Sequence, residues 1–420
     1  MTVPRRICAG YSLGSLVTGS FSTVPGLLLL PYLTDSLAVP AAAAGLIVLL
    51  PKAWDVLFNP VAGRISDRRG PRRPLLLQGG MALAVLFAGL FALPAGGGAY
   101  VAVVFLLCAT AYAFFQVPYV AMLAEITTDY DQRTRLMTWR MAVLALAILL
   151  SGAGAPAIRD ATGGYQTMGV AAGVVILFGT ITVYLGTRGV TAQSHVDTGA
   201  GFKTLLAAVR ESREFRQLLA AFMIQATGVS TLLAGVDYMS RVVLRDTGMQ
   251  TVLFVSFVGP ALLVMPMWQR IGARYGKRVG FIVSSVIFAV SMALVVTAQI
   301  VPTAVVVVLA AFTGVGYSGM QVFPMAMLPD VITAEEKRTG VRRAGLFSGV
   351  WTAGETLGFA LGPGVYGLIL AIGGYVSSTD ASVVQPQSAV TAALIGFTVV
   401  PVVLVLAALP LLTKKLEVRA

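Results

Sequence analysis

Charge is scarce in this chain. Asp, Glu, Lys and Arg make up 11% of its 420 residues, whereas a soluble domain carries about 25%. Histidine is scarcer still, with His195 alone, and the cysteines are two, Cys8 and Cys108. One histidine and two cysteines exclude a disulfide framework and a zinc-type ligand cluster. The sequence also lacks a recognisable nucleophile–base pair and a nucleotide-binding loop, so an enzyme is not expected and no cofactor is called for.

Apolar residues, at 57% with a mean hydropathy of +0.84, fill the space that charge leaves. A helix needs ~20 apolar residues to cross ~30 Å of hydrocarbon. Twelve stretches qualify, at 9–33, 38–64, 74–94, 99–124, 136–157, 166–187, 217–240, 250–270, 279–299, 302–328, 345–372 and 388–412. Backbone groups in lipid must be satisfied within their own segment, so these runs read as helices. A β-barrel would show short alternating strands instead.

The few charges are unevenly placed. Of 30 Lys and Arg residues, 26 fall on one side of the twelve spans. Arg159, Arg241 and Arg245 fall opposite, and Lys52 lies inside a span. Positive loops stay in the cytoplasm, so both termini are expected there, in a multi-pass inner-membrane protein. The net charge of +12 is then a topology signal with some attraction to anionic lipid, and it calls for no nucleic acid. Arg5 and Arg6 precede an apolar run too long for a signal peptide, which reads as an uncleaved first helix.

The chain also repeats itself. Met122-Leu123-Ala124-Glu125-Ile126 with Arg133-Thr134 recurs as Met327-Leu328-Pro329-Asp330-Val331 with Arg338-Thr339, 205 residues later. Gln116-Val117 recurs as Gln321-Val322 with the same shift. Arg64-Ile65 with Gly70 and Arg72 recurs as Arg270-Ile271 with Gly276 and Arg278, shifted by 206. Two copies of a six-helix unit are the mark of a transporter whose site lies between its halves. The expected division is 1–190, a linker at 191–214, and 215–420. In the linker region Phe202, Leu205, Leu206 and Val209 share one face of a short amphipathic helix.

Gly63-Arg64-Ile65-Ser66-Asp67-Arg68-Arg69-Gly70-Pro71-Arg72-Arg73 resembles the signature between spans two and three of the major facilitator superfamily. A narrower resemblance covers nearly the whole chain. Lys52-Ala53-Trp54-Asp55 with Asn59-Pro60-Val61-Ala62-Gly63, Tyr32-Leu33-Thr34-Asp35, Val117-Pro118-Tyr119 and Leu328-Pro329-Asp330-Val331 resemble the glycoside–pentoside–hexuronide:cation symporters, the melibiose permease-like transporters. The framework is also similar to the sodium-dependent lysophosphatidylcholine transporters. The resemblance implies an all-α major facilitator fold: twelve transmembrane helices in two pseudo-symmetric six-helix bundles, with cation-coupled alternating access at a midplane cavity.

The departures from that family narrow the expectation. Its sugar-binding acids correspond here to Thr18-Gly19 and to Gln116. Its first coupling acid is matched by Asp55, but the second is Asn59, and an oxygen-bearing threonine in span four is Ala113. Hard cations favour several oxygen ligands, whereas one aspartate suffices for a proton. Asp55, Asn59 and Lys52 are therefore the expected coupling set, with H⁺ favoured over Na⁺.

Ionisable groups inside a span are functional candidates by default. Thr18, Gln116, Tyr119, Arg140, Gln225, Gln321, Trp351 and Glu355 are the expected substrate contacts. Asp67, Glu125, Asp330 and Arg343 are the expected gate, with Glu125 and Asp330 beside Arg133, Arg140, Arg338 and Arg343. Asp237, four residues before Arg241, reads as an outer-surface pair. The expected function is cation-coupled symport of a small organic or amphiphilic solute by a monomer. A sodium-coupled sugar symporter and a proton-antiport exporter of drugs, metabolites or lipids stay open beside it.

Overall fold

The structure, a computed structural model, describes residues 4–68, 72–92, 97–127, 129–189, 212–339, 344–380 and 383–412. Twelve helices in it are long and apolar enough to cross a membrane. They are α1 (Arg5–Ser36), α2 (Ala41–Ser66), α3 (Arg72–Leu90), α4 (Gly98–Leu123), α5 (Arg135–Thr162) and α6 (Tyr165–Gly186), then α7 (Arg213–Val243), α8 (Met249–Tyr275), α9 (Lys277–Gln299), α10 (Thr303–Arg338), α11 (Phe347–Ile372) and α12 (Gln387–Leu411). Each lies on one of the expected apolar runs. The largest difference is in α10, which continues past its apolar run to Arg338 because the polar segment after Pro329 keeps helical backbone. The expected linker helix at Phe202–Val209 lies outside the described residues.

The chain divides into two compact units, Met1–Asp197 with Ser377–Val383 and Thr198–Val376 with Val384–Ala420. In the first, α3 packs on α4 and α6, α2 on α4, and α1 on α5 and α6. In the second, α9 packs on α10 and α12, α8 on α10, and α7 on α11 and α12. Every pairing recurs six helices later. The most buried helix of each unit is its first, α1 and α7.

The ends of these two helices repeat in a way the side chains conceal. Both finish in a π-helical turn, Tyr32–Ser36 and Met239–Val243. In each, a backbone N–H then reaches back five residues, Leu37 to Tyr32 at 3.2 Å and Leu244 to Met239 at 2.9 Å. The next residue in each is left-handed without being glycine: Ala38 at φ 53° and Arg245 at φ 57°. The backbone motif persists where residue identity has diverged.

Small residues set the helix spacing, because close backbone approach is the main source of cohesion between helices in lipid. At the tightest point Gly314 of α10 lies against the backbone of α8. A Cβ there would collide with the carbonyl oxygen of Phe257. Gly154 of α5 has nothing within 4 Å of the same position. Gly314→Ala is therefore expected to cost roughly 1–3 kcal/mol through overpacking. Gly154→Ala should be neutral or stabilising by up to about 1 kcal/mol, from helix propensity alone. Thermal unfolding of the two purified variants in one detergent checks the contrast, and equal midpoints would refute it.

Candidate functional site

In the first unit the ionisable residues converge on α2, α4 and α5. Asp55 is 8% exposed, and its Oδ1 is buried with no hydrogen-bond partner. Lys52 is the charge that acts on it, yet no contact within 4.0 Å joins the two among the described residues. The interaction between Lys52 and Asp55 is thus electrostatic, without direct contact. Asn59 follows one turn later and is half-buried, and Ala113 on α4 is fully buried. Aromatic contacts hold this stretch of α2 to α4. Trp54 donates from Nε1 to Thr110 Oγ1 at 3.1 Å and stacks on Phe58, which meets Phe114 edge-on.

Beside Asp55, Thr18 of α1 donates its hydroxyl to Gln116 Oε1 of α4 at 2.9 Å. The two positions that carry acids in the resembling sugar transporters are thereby joined by a neutral hydrogen bond. Tyr112, one turn before Gln116, lies beside Thr18 and Ser22 and within electrostatic reach of both Asp55 and Arg140.

Arg140 is half-buried on α5, with its guanidinium 4.9 Å from the Tyr119 ring centroid. Its Nη1 meets the Met137 sulfur at 3.8 Å, and its Nε is buried without a partner. Tyr119 is fully buried. Its ring stacks on Tyr11 at 4.8 Å, and its hydroxyl donates to the Tyr11 carbonyl at 2.8 Å and contacts Ser15 Oγ at 3.0 Å. It serves as the floor under Arg140.

The second unit repeats part of this. Gln321 of α10 donates to the Tyr317 hydroxyl at 2.8 Å. Tyr317–Gln321 stands 205 residues after Tyr112–Gln116, with the same spacing. Glu355 of α11, half-buried, acts electrostatically on Tyr317. Each Tyr–Gln pair therefore has a membrane-embedded acid beside it, supplied by α2 in one unit and α11 in the other. Gln225 is 2% exposed and donates to Ser285 at 3.0 Å. Trp351 is also 2% exposed and stacks on Phe222 at 4.7 Å. Tyr119, Gln225 and Trp351, expected as substrate contacts, are all packed inside their own units.

The expected gate acids sit in duplicate ion pairs. Glu125 accepts from Arg72 at 2.7 Å, and Asp330 accepts from Lys277 at 2.5 Å. Arg72 and Lys277 are themselves 205 residues apart, as are the acids. The next residues follow suit: Arg73 donates to the Tyr184 carbonyl and Arg278 to the Leu412 carbonyl, at the ends of α6 and α12. Arg338 pairs with Glu335 in its own helix, and Arg140 points to Tyr119. Arg343 and the side chains of Arg133 and Asp67 lie outside the described residues.

Asp237 and Arg241 do pair, with Arg241 Nε 2.7 Å from Oδ2, but the carboxylate is completely buried. The expected surface pair is an interior one, because Tyr366 of α11 packs against α7 at this level, on Gly235 and the Tyr238 ring. Tyr112, Tyr317 and Lys277 were missed by motif reading, and Arg72 was read only as part of the basic loop signature. The 205-residue shift that exposed the acids and glutamines would have found them as well.

The two gate pairs differ in burial. Glu125 and Arg72 side chains are 7% and 14% exposed, and those of Asp330 and Lys277 34% and 41%. Breaking a buried pair leaves an uncompensated charge and costs about 3–5 kcal/mol, whereas an exposed pair is worth about 0.2–1 kcal/mol. Arg72→Gln should therefore lower stability several-fold more in free energy than Lys277→Gln. Thermal unfolding in one detergent reads this directly, and similar losses would refute it.

Comparison with known proteins fits this geometry. Residues 10–414 match the family model described as MFS/sugar transport protein. The chain is 26% identical over 409 residues to a putative glycoside/cation symporter, YagG, of Escherichia coli, covering 94% of this chain and 88% of the relative. It is 25% identical over 478 residues to the uncharacterized symporter sll1374 of Synechocystis, covering 89% and 86%. A bacterial homologue of the human lysosomal transporter Spinster, solved inward-facing and unoccupied, superposes with a TM-score of 0.70 at 13% identity, covering 98% and 97%. At that identity the likeness shows the fold alone.

Proposed function

We propose, for a chain that belongs to the MFS/sugar transport protein family, a proton-coupled symporter in which Asp55 carries the proton. That it is a secondary transporter of the membrane, and no enzyme, follows from the family and its named symporters. The observation that carries the finer reading is the Asp55 carboxylate, inside a span with one oxygen buried and unpartnered. A buried acceptor without a donor is expensive, and a proton on the carboxyl removes the charge that makes it so. Lys52 stands close enough to act on it without clamping it. A Na⁺ ion would need several oxygens at once, and Asn59 and Ala113 supply fewer than an Asp and a Thr would.

The solute is a small organic or amphiphilic molecule. Thr18–Gln116 in place of acids disfavours the multi-hydroxyl donor pattern of a neutral disaccharide, which needs charged acceptors. Positive-side counting supports cytoplasmic termini, and the transporter is read as a monomer.

The test is solute accumulation in proteoliposomes, with glycosides and lysolipids as the panel and H⁺ and Na⁺ gradients imposed separately. A pH gradient should drive accumulation at least ~10-fold better than a Na⁺ gradient at equal pH on both sides. Asp55→Asn should abolish uphill uptake while leaving exchange at equal solute on both faces measurable. Robust Na⁺-driven uptake at symmetric pH would overturn the assignment.

A further inference from the structure

We propose that the basic end of the first unit carries a binding site for an anionic phospholipid. Arg6 and Arg73 hold the headgroup phosphate at the end of α6, and the acyl chains lie along α3 and α6. The site is independent of the coupling role of Asp55.

Charge at this end is unbalanced. α1 begins with Arg5-Arg6 and α3 with Arg72-Arg73, and neither first turn holds an acid. A helix N-terminus is the positive end of its dipole, so cations there are disfavoured unless something answers them. Glu125 answers Arg72. Arg5, Arg6, Arg73 and Arg188 have no carboxylate within 4.0 Å among the described residues. Two of them turn to the carbonyls that end α6. Arg73 Nη2 donates to the Tyr184 carbonyl at 2.5 Å, and Arg6 Nη2 to the Leu185 carbonyl at 3.3 Å. Arg188, exposed, follows three residues after Leu185. A helix C-terminus carries only about half a negative charge, so the arginines that meet there keep a positive surplus.

Packing fixes the meeting point. Gly10 of α1 crosses Gly186 of α6 so closely that a Cβ on Gly10 would lie 2.6 Å from the Gly186 Cα, which sets Arg6, one turn earlier, beside Leu185. Gly80 of α3 packs on Thr180 of α6, two turns from Arg73.

The apolar surface leading to these arginines selects a lipid over a free phosphate. On α6, Val174, Phe178, Ile181 and Leu185 are exposed at helical spacing, so a lipid-facing stripe ends at the residue whose carbonyl Arg6 binds. On neighbouring α3, Gln78, Met81 and Val85 form a second exposed stripe. Gln78 is its polar exception. It stands five residues from Arg73, about 7 Å deeper, where its amide can donate to a glycerol ester carbonyl. Clustered arginines at a membrane surface attract anionic headgroups, and a guanidinium pairs with phosphate through two parallel N–H···O bonds. A zwitterionic headgroup brings its own cation to the same spot and gains less. The second unit keeps half of the arrangement, with Arg278 on the Leu412 carbonyl. Ser212, 206 residues after Arg6, instead caps α7 by accepting from the Phe215 N–H, and Glu214 adds an acid to that first turn.

The experiment titrates the full chain, purified in detergent and stripped of lipid, with phosphatidylglycerol and with phosphatidylcholine of the same acyl chains. Thermal shift and native mass spectrometry of retained lipid are the readouts. Binding should favour phosphatidylglycerol by ~10-fold or more. Arg6→Gln and Arg73→Gln should each lower that preference ~3- to 5-fold, and the double variant should bring it to about 1. Arg278→Gln, which removes the same charge from the second unit, should leave it unchanged. If Arg73→Gln does not give monodisperse protein, Arg6→Gln combined with Arg188→Gln carries the test, since both side chains are exposed. No preference for phosphatidylglycerol, or a preference that survives both double variants, would overturn the proposal. An equal loss in Arg278→Gln would overturn it as well, by showing attraction to net charge alone. Glycerol 3-phosphate matching the lipid in both shift and affinity would reveal a site for soluble phosphates and refute the lipid assignment.

Discussion

Hydrocarbon gives a buried charge nothing to lean on except what the protein or its ligand brings. Effective desolvation costs several kcal/mol per ion, comparable with the whole stability of many domains. This chain nonetheless places Lys52, Asp55, Arg140 and Glu355 inside its spans. Asp237 and Arg241 show the static solution, a direct contact that neutralises both. The other four do not take it. Lys52 and Asp55 stay beyond contact distance, Arg140 rests on a tyrosine, and Glu355 faces a tyrosine hydroxyl group's surroundings.

Duplication supplies the frame and divergence supplies the chemistry. The ion pairs Arg72–Glu125 and Lys277–Asp330, the arginines bound to the last carbonyls of α6 and α12, and the π-helical ends of α1 and α7 occur once in each unit. These features hold helix ends, and the same packing problem in each unit retains the same answer. The Tyr–Gln pairs on α4 and α10 are also duplicated, but their surroundings are not. One has Asp55 and Arg140 nearby, the other Glu355.

The aromatic residues divide in a related way. Trp54 and Phe58 lock α2 to α4 around Asp55, and Tyr119 with Tyr11 makes a rigid base for Arg140. Trp351 stacks on Phe222 inside the second unit. Rigid rings position the charged groups while the apolar outward faces of the same helices meet lipid, so positional precision inside the bundle costs no solubility in the membrane.

The membrane class, the number of spans and the two-fold repeat were legible in the sequence because they depend on run length, composition and spacing, which are local or self-comparing properties. So was the candidate status of Asp55, Arg140 and Glu355, since a charge within an apolar run is conspicuous without coordinates. What only the tertiary structure decided was pairing. Glu125 stood near Arg133 and Arg140 in the chain but bonds Arg72, 53 residues away, because α3 and α4 pack side by side. Asp237 looked superficial from its place near a helix end and is buried because neighbouring helices enclose it. Tyr119, Gln225 and Trp351 are each buried against side chains of their own unit, which the sequence could not say, since a polar or aromatic residue in a span has the same letter whichever face of the helix it occupies. Sequence spacing says what lies on one helix, whereas the partner across the interface depends on how helices turn and meet, and there the energy of each buried charge is settled.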